Sequence, residues 1–185
     1  MTLPATTVLL LSVDEAEALA QSLPAALAQD GAEVIVVDNA CGDRTAEIAR
    51  AAGARVLELE RRLSYAAAIN EALRRSAGDA VLLLNADCVL EPGFLAAARP
   101  RLQEAAVGSV APKLVRASEP ALEHTLGVID AAGMTVDRRR KNGLVGHGLL
   151  RGAHERPGEA FGADGAAALY RRETLMHCAL GDEVL

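Results

Sequence analysis

The sequence predicts an α/β domain: a mostly parallel sheet flanked by helices, with a small mixed or antiparallel extension. Three observations predict it. Short apolar runs alternate with helical stretches through the first half of the chain. The runs are continuous rather than polar at every second position, as strands covered on both faces are. Glycines and small polar residues stand at the joints, where helices start and stop. In such sheets the crossovers are right-handed, and ligands bind beyond the carboxyl ends of the strands.

Taken in order, Thr7–Leu11 is a β-branched and leucine run, the first strand. Asp14–Ala28 carries Leu19, Leu23 and Leu27 at helical spacing. Glu33–Val37 is a second buried strand. Asp43 follows Gly42 as an N-cap for a helix through Ala52, and Gly53 ends that helix. Val56–Leu59 is a third, weaker strand. Ser64–Ala77 is a helix stopped by Gly78, and Ala80–Leu84 is a fourth strand. After it, Glu91–Leu102 is a helix with Pro92 in its first turn, and Val107–Val115 is a strand interrupted by Pro112. Residues 117–158 are rich in Gly and Arg and poorly periodic, which reads as loops and short antiparallel strands. Ala166–Tyr170 reads as a strand and Arg171–Cys178 as a helix. No internal repeat is visible.

Composition narrows the function. The chain has 185 residues, a net charge of -6 and a pI near 5.3. That is one domain, with enough length for a sizeable core. Aromatics are only 2%, so the core is expected to be built from Ala, Leu and Val. An acidic balance argues against nucleic acid as the main partner. The basic clusters (Arg61-Arg62, Arg74-Arg75, Arg138–Lys141, Arg171-Arg172) read as solvated surface, with contact to a phosphate or an anionic lipid as the exception. No apolar run approaches the ~20 residues needed to span a bilayer. Cys41, Cys88 and Cys178 are odd in number and widely spaced, which fits a reducing cytoplasm.

Two strand ends carry the chemistry. Asp38-Asn39 follows the second strand, and Asn85-Ala86-Asp87 follows the fourth. A carboxylate at the first place can accept hydrogen bonds from a base N–H or a ribose hydroxyl. At the second, Asp87 can hold a divalent metal that also touches a diphosphate. Either pair alone is equally a polar turn. Together, in one sheet, they share one cleft. His124 and His177 read as surface residues, and His147 and His154 lie in the Gly- and Arg-rich region. Tyr65 and Tyr170 read as packing residues.

The string Val36-Val37-Asp38-Asn39-Ala40-Cys41-Gly42-Asp43-Arg44-Thr45 resembles the nucleotide-binding segment of family 2 glycosyltransferases. Leu82–Asp87 resembles their metal-binding motif in an Asn-x-Asp form. Ala66-Ala67-Ala68-Ile69-Asn70 resembles the helix that carries an Asn before that motif. Val110–Leu114, Ile129–Gly133 and Gly162–Arg172 resemble segments of the rhamnosyltransferase-like branch. The resemblance runs along almost the whole chain, in order.

The resemblance implies a GT-A fold, a nucleotide-diphosphate sugar donor and a divalent cofactor, Mn²⁺ or Mg²⁺. It implies inverting transfer to a glycan or lipid-linked acceptor of the cell envelope, with rhamnose from a deoxythymidine diphosphate donor as the first guess. Residues 1–115 would form the nucleotide-sugar-binding half and 116–185 part of the acceptor side. The enzyme would be cytoplasmic, with the inner face of the membrane as the further option. On the nucleotide side it implies Ser12, Asp14, Asp38, Asn39, Asn70 and Asn85, with Asp87 on the metal. Asp164, Gly165 and Ala166 would line the acceptor cleft; the catalytic base itself is not identified, and Asp164 is a stand-in candidate for it.

The chain departs from the pattern at Val13-Asp14, where an aromatic-Asn pair is usual, and at Arg61–Ser64, where a glycine is usual. The family's acidic segment bearing the catalytic base is expected beyond Gly181-Asp182-Glu183-Val184-Leu185. The resemblance therefore leaves a non-catalytic or truncated nucleotide-sugar binder as an alternative. A nucleotidyltransferase is disfavoured because Ser12-Val13-Asp14-Glu15 is acidic where a basic phosphate loop is needed. A dinucleotide-binding domain is disfavoured by the missing glycine fingerprint.

Overall fold

The computed structural model describes residues 5–118, 121–181 and 183–185, apart from the Glu123 side chain. Asp182 lies outside them. Four parallel strands come first along the chain, linked by helical crossovers: β1 (Thr6–Ser12), α1 (Ala16–Leu27), β2 (Ala32–Asp38), α2 (Thr45–Ala51), β3 (Arg55–Glu58), α3 (Tyr65–Arg74) and β4 (Ala80–Asn85). Then come α4 (Phe94–Ala98), a 3₁₀ turn over Arg99–Gln103, β5 (Ser109–Val110), β6 (Leu114–Ser118) and β7 (Ala121–Ala131). β8 (Met134–Val136), β9 (Asn142–Leu144), β10 (Ala167–Arg171) and α5 (Arg172–His177) complete the chain.

The main sheet has the order β3-β2-β1-β4-β10-β5. β1 pairs in parallel with both β2 and β4, while β10 pairs antiparallel with β4 and β5. The order reverses at β1, so the loops after β1 and β4 flank the crevice where ligands of such sheets bind. β6–β7 and β8–β9 form two separate antiparallel pairs.

Successive strand residues point to opposite faces, and both faces are dry. Val8, Leu10, Val36, Leu82 and Leu84 pack with Leu19, Leu23 and Leu95 on one side. Leu9, Leu11, Ile35, Val37, Val81 and Leu83 pack with Ile69, Leu73 and Leu175 on the other. The largest fully buried side chains are all Leu, Ile or Val, so the expected aromatic-free core is observed. Each fully buried leucine contributes roughly 1.5–3 kcal/mol.

Several local expectations change. The helix expected over 91–102 is broken: Gly93, at φ 75, caps a five-residue α4, and the chain tightens to 3₁₀ at Pro100. Residues 117–158 contain an eleven-residue strand, β7, hidden from the sequence by register shifts against β6. Gly78 does not stop α3, which ends at Arg74. Its role is close approach, because a Cβ there would lie 2.6 Å from the Thr7 backbone nitrogen. Arg171 and Arg172 are not a solvated pair. Arg171 donates to the carbonyls of Leu102, Glu104 and Val107, and Arg172 to those of Gly78 and Leu73. A guanidinium offers five donors, enough to satisfy carbonyls left over at turns. No helix among the described residues is long and apolar enough to cross a membrane.

Candidate functional site

The carboxyl ends of β1, β2 and β3 meet in a knot of hydrogen bonds. Asp38 closes β2, is 5% exposed, and its Oδ1 accepts from the Cys41 backbone at 2.7 Å. That is the turn its residue type favours. Ala40, next but one, sits at φ 53. A left-handed conformation costs an L-residue about 1–2 kcal/mol, and alanine has no side-chain polar group to offset it.

Asn39 is buried. Its amide nitrogen donates to the Leu63 carbonyl at 3.0 Å, and its amide oxygen accepts from Leu63 N–H at 2.8 Å. Both ends of its amide therefore hold the β3–α3 loop. Ser12 is fully buried, with its hydroxyl 3.1 Å from that of Thr45.

Asp14 and Arg62 cross this corner. Asp14 Oδ1 accepts from Gly42 N–H at 2.6 Å, and Oδ2 accepts from Arg62 Nη2 at 2.6 Å. Arg62 also donates through Nε to the Asn39 carbonyl and through Nη2 to the Ala40 carbonyl, each at 3.2 Å. The Arg62 hydrogen bond, helped by that from Gly42, holds the Asp14 carboxyl below the usual range. Cys41 donates its thiol to the Ser12 carbonyl and accepts from Asp14 N–H, both at 3.3 Å.

Asp43 does not cap α2 from the N-cap position, which is Arg44. It acts from one residue earlier, and on two helices. Oδ1 takes Thr45 N–H at 3.0 Å, and Oδ2 takes Ala16 N–H at 2.8 Å at the start of α1. Burial works against its ionisation, but the hydrogen bonds from Thr45 and Ala16 outweigh it and its pKa is lowered.

The carboxyl end of β4 is different. Ala86 is buried and Asp87 exposed. No described residue hydrogen-bonds to the Asp87 carboxylate, and it belongs to no ion pair. Glu15, at the start of α1, feels it: burial raises the Glu15 pKa, and the charges of Asp87 and Asp43 raise it further. Beside them Cys88 is pushed up to about 12, first by burial and then by Asp87 and Asp164. Asp164 thus lies near the same rim. Its Oδ1 accepts from Ala166 N–H at 3.0 Å, and the Ala166 carbonyl accepts from Asn85 N–H at 3.0 Å. Tyr65 is not a packing residue. It is 42% exposed, and its hydroxyl donates to the Gly165 carbonyl at 3.4 Å.

Asn70 hydrogen-bonds to neither group. It is buried in α3, and its amide oxygen accepts from the N–H groups of Val184 and Leu185 at 3.0 and 3.1 Å. Its amide nitrogen donates to the Glu183 carboxylate and to the Leu185 carbonyl. The structure brings Ser12, Asp14, Asp38 and Asn39 together at one corner, and Asn85, Asp87 and Asp164–Ala166 at the other. His147 joins neither: it sits on the surface with Arg116 and Asp130.

Two groups of side chains suit a cation. Ligand atoms of Asp14, Cys41 and Asp43 lie within 4.8 Å of one another. Each carboxylate oxygen of Asp14 and Asp43 already accepts a hydrogen bond, however, and burial raises the Cys41 pKa, which keeps the thiol protonated and a poor ligand. Asp87 is the better fit. It offers free carboxylate oxygens beside Glu15 and the Asn85 end of β4, the oxygen donors that Mg²⁺ and Mn²⁺ prefer. Sequence reasoning passed over Glu15 and Arg62. Their signal is position, since each stands just past a strand end.

Residues 7–178 match the family model described as glycosyl transferase family 2. Over 74 residues the chain is 40% identical to a TPR repeat-containing protein of Synechococcus elongatus, covering 40% of this chain and 18% of that protein. Among solved structures, the mannosyltransferase PcManGT from Pyrobaculum calidifontis, in complex with GDP-Man and Mn²⁺, superposes with a TM-score of 0.67 at 22% identity. The match covers 97% of this chain and 48% of that one. Glucosyl-3-phosphoglycerate synthase from Mycobacterium tuberculosis, in complex with UDP, superposes with a TM-score of 0.53 at 21% identity, over 61% of this chain and 45% of that one. S. aureus TarS (residues 1–349) does so with 0.54 at 22%, over 59% and 35%. The chain thus spans about half the length of the first of these structures, and the sheet plan they share is the GT-A fold.

Proposed function

This chain belongs to glycosyl transferase family 2, and from that premise we propose that it binds a nucleotide-diphosphate sugar and passes the sugar to a glycan or lipid-linked acceptor. The observation that carries the reading is the free, exposed Asp87 carboxylate at the switch point of the sheet, beside a corner whose turn presents Asp38. The solved relatives in complex with GDP-Man and Mn²⁺, or with UDP, support the same ligand class.

In this reading the corner of Ser12, Asp14, Asp38 and Asn39 forms the nucleoside side. Asp87, with Glu15 and Asn85 near it, holds a divalent cation, which when bound offsets charge on the departing diphosphate. The rim is acidic, so without a cation it repels a diphosphate. Asp164 serves as the base from the acceptor side. It takes the proton of the acceptor hydroxyl as that oxygen bonds to the anomeric carbon. The bond from the anomeric carbon to the phosphate oxygen breaks, its electron pair leaves with the nucleoside diphosphate, and the configuration inverts. Rhamnose from a deoxythymidine diphosphate donor is the sugar we infer first, on the resemblance of 110–114, 129–133 and 162–172.

Calorimetry with UDP, GDP and dTDP, each with and without Mn²⁺, tests the donor half of this proposal. Binding of at least one nucleotide, strengthened by Mn²⁺, is expected. Absence of binding to all three refutes it. For the acceptor half, Asp164→Asn is expected to keep nucleotide affinity and to lower turnover by roughly 10²–10⁴, the usual contribution of a general base. Unchanged turnover removes Asp164 from that role.

A further inference from the structure

We propose that Arg62 is a positioning residue for the nucleoside corner: with Asp14 it straps the β2–α2 turn into its binding-competent shape, and neither side chain needs to touch the nucleotide. The inference rests on the nucleotide-binding reading above and assigns to Arg62 a role that the motifs do not.

The argument begins with the turn. Asp38 faces the corner only if residues 39–42 hold their path, and Ala40 must stay at φ 53 to do so. Asparagine or aspartate at a left-handed position bonds its own backbone; alanine has nothing to bond with. The support comes from outside. One guanidinium reaches the carbonyls of Asn39 and Ala40, the two peptide units that flank the strained φ. Its remaining bond goes to Asp14, which itself holds Gly42 N–H on the far side of the turn. The turn is gripped at Asn39, Ala40 and Gly42 by one ion pair.

Asp14 is itself left-handed, at φ 59, so the pair also fixes the loop after β1. The three loops that build the corner share this one link. Asn39 ties only two of them, through Leu63. A lysine cannot replace the strap, because a single ammonium lacks the planar fork that serves separate acceptors.

Positioning and contact predict different kinetics. If the strap maintains a competent turn, its loss lowers the competent fraction. A fraction reduced to about a tenth weakens apparent affinity about tenfold. That loss falls on the association rate, while dissociation from the closed complex is unchanged. Loss of a direct contact speeds dissociation instead.

The experiment measures binding of UDP, GDP and dTDP with Mn²⁺ by stopped flow, taking whichever binds tightest. It compares wild type with Arg62→Ala, Asp14→Ala, the double variant and Arg62→Lys. Each alanine variant is expected to bind about five- to tenfold more weakly through a slower association rate. The double variant is expected to be no worse than either single one, because both remove one strap. Arg62→Lys is expected to recover less than half the loss. Amide exchange in the ligand-free proteins supplies a second readout: the Cys41 and Gly42 amides lose protection in both single variants, while amides of β1 and β4 keep theirs.

Faster dissociation, or losses that multiply in the double variant, would show that the two side chains contact the nucleotide separately and would overturn the proposal. Unchanged protection at Cys41 and Gly42 overturns it as well. If wild type binds none of the three nucleotides, the functional reading falls, while the exchange measurement still decides whether the strap exists.

Discussion

The two ends of the cleft are built on opposite plans. At the β1–β2–β3 corner the polar side chains are spent on one another: Asp14 on Gly42 and Arg62, Asn39 on Leu63, Asp43 on two helix starts. At the β4 rim Asp87 has no partner among the described residues, and Glu15 holds its proton more tightly than usual, first because it is partly buried and then because Asp87 and Asp43 stand near. The corner is a rigid frame, and its charges stabilise it. The rim is a charge imbalance, with Asp87 unpaired and the Glu15 carboxyl raised beside it.

The sharpest way to break this contrast is at the rim. Asp87→Ala is expected to remove the Mn²⁺ dependence of nucleotide binding. The loss should be at least the 10–100-fold that follows removal of a mere supporting partner of a metal ligand. Thermal stability should hold or rise, because an unpaired charge is deleted from an exposed site. Isothermal titration with and without Mn²⁺, beside a melting curve, checks both. A variant that keeps its metal dependence would move the cation elsewhere, and the Asp14–Cys41–Asp43 group is the next place to look.

The corner should respond in the opposite sense. Asn39→Ala leaves the N–H and carbonyl of the half-buried Leu63 without their Asn39 partners, and an unpaired polar group kept from water costs about 1–3 kcal/mol. A loss of about 2 kcal/mol on urea denaturation is expected, with metal dependence intact. A loss in affinity with no loss in stability would instead make Asn39 a nucleotide ligand, as the motif resemblance implies.

Asn70 offers a third site, where resemblance and geometry diverge. The helix motif places it with the nucleotide, yet its amide is bonded to residues 183–185. Asn70→Ala is expected to raise amide exchange at Val184 and Leu185 and to leave nucleotide affinity within about twofold, as independent sites behave. A tenfold weaker affinity would restore the reading from the motif.

These cases show what was legible in the sequence. The order of strands and helices and the dry two-faced sheet could both be read. Each is written in local periodicity and in residues that end strands. Long-range bonds could not. Nothing near Arg62 announces that its partners are the carbonyls of Asn39 and Ala40, and nothing near Arg171 announces three carbonyls between Leu102 and Val107. The break at Gly93 and the length of β7 were hidden for a related reason, since packing against distant segments overrode the local pattern. Asp43 was identified as a cap but given one helix, because its second partner, Ala16, lies 27 residues away.

The smallest effect, and the most direct measure of the contrast, is the sign of each end's response to pH. Asp14 has its carboxyl lowered by Arg62 and Gly42. Its contribution to stability is therefore present above the unfolded value near 3.9 and is lost as pH falls through the lower folded value. Glu15 has its carboxyl raised by burial and by the charges of Asp87 and Asp43. It destabilises the fold at neutral pH, and that penalty disappears as pH falls from the raised folded value towards the unfolded value near 4.3. Glu15→Gln should thus be the more stable protein at pH 7 and lose its advantage in acid. Asp14→Asn should be the less stable at pH 7 and approach wild type only at the acid extreme. Denaturation midpoints for the three proteins between pH 3 and pH 8 decide the signs. Added Mn²⁺ sharpens the comparison further: a cation at the rim offsets the charges of Asp87 and Asp43 but not the burial of Glu15, so it should shrink the advantage of Glu15→Gln and leave the Asp14 difference untouched.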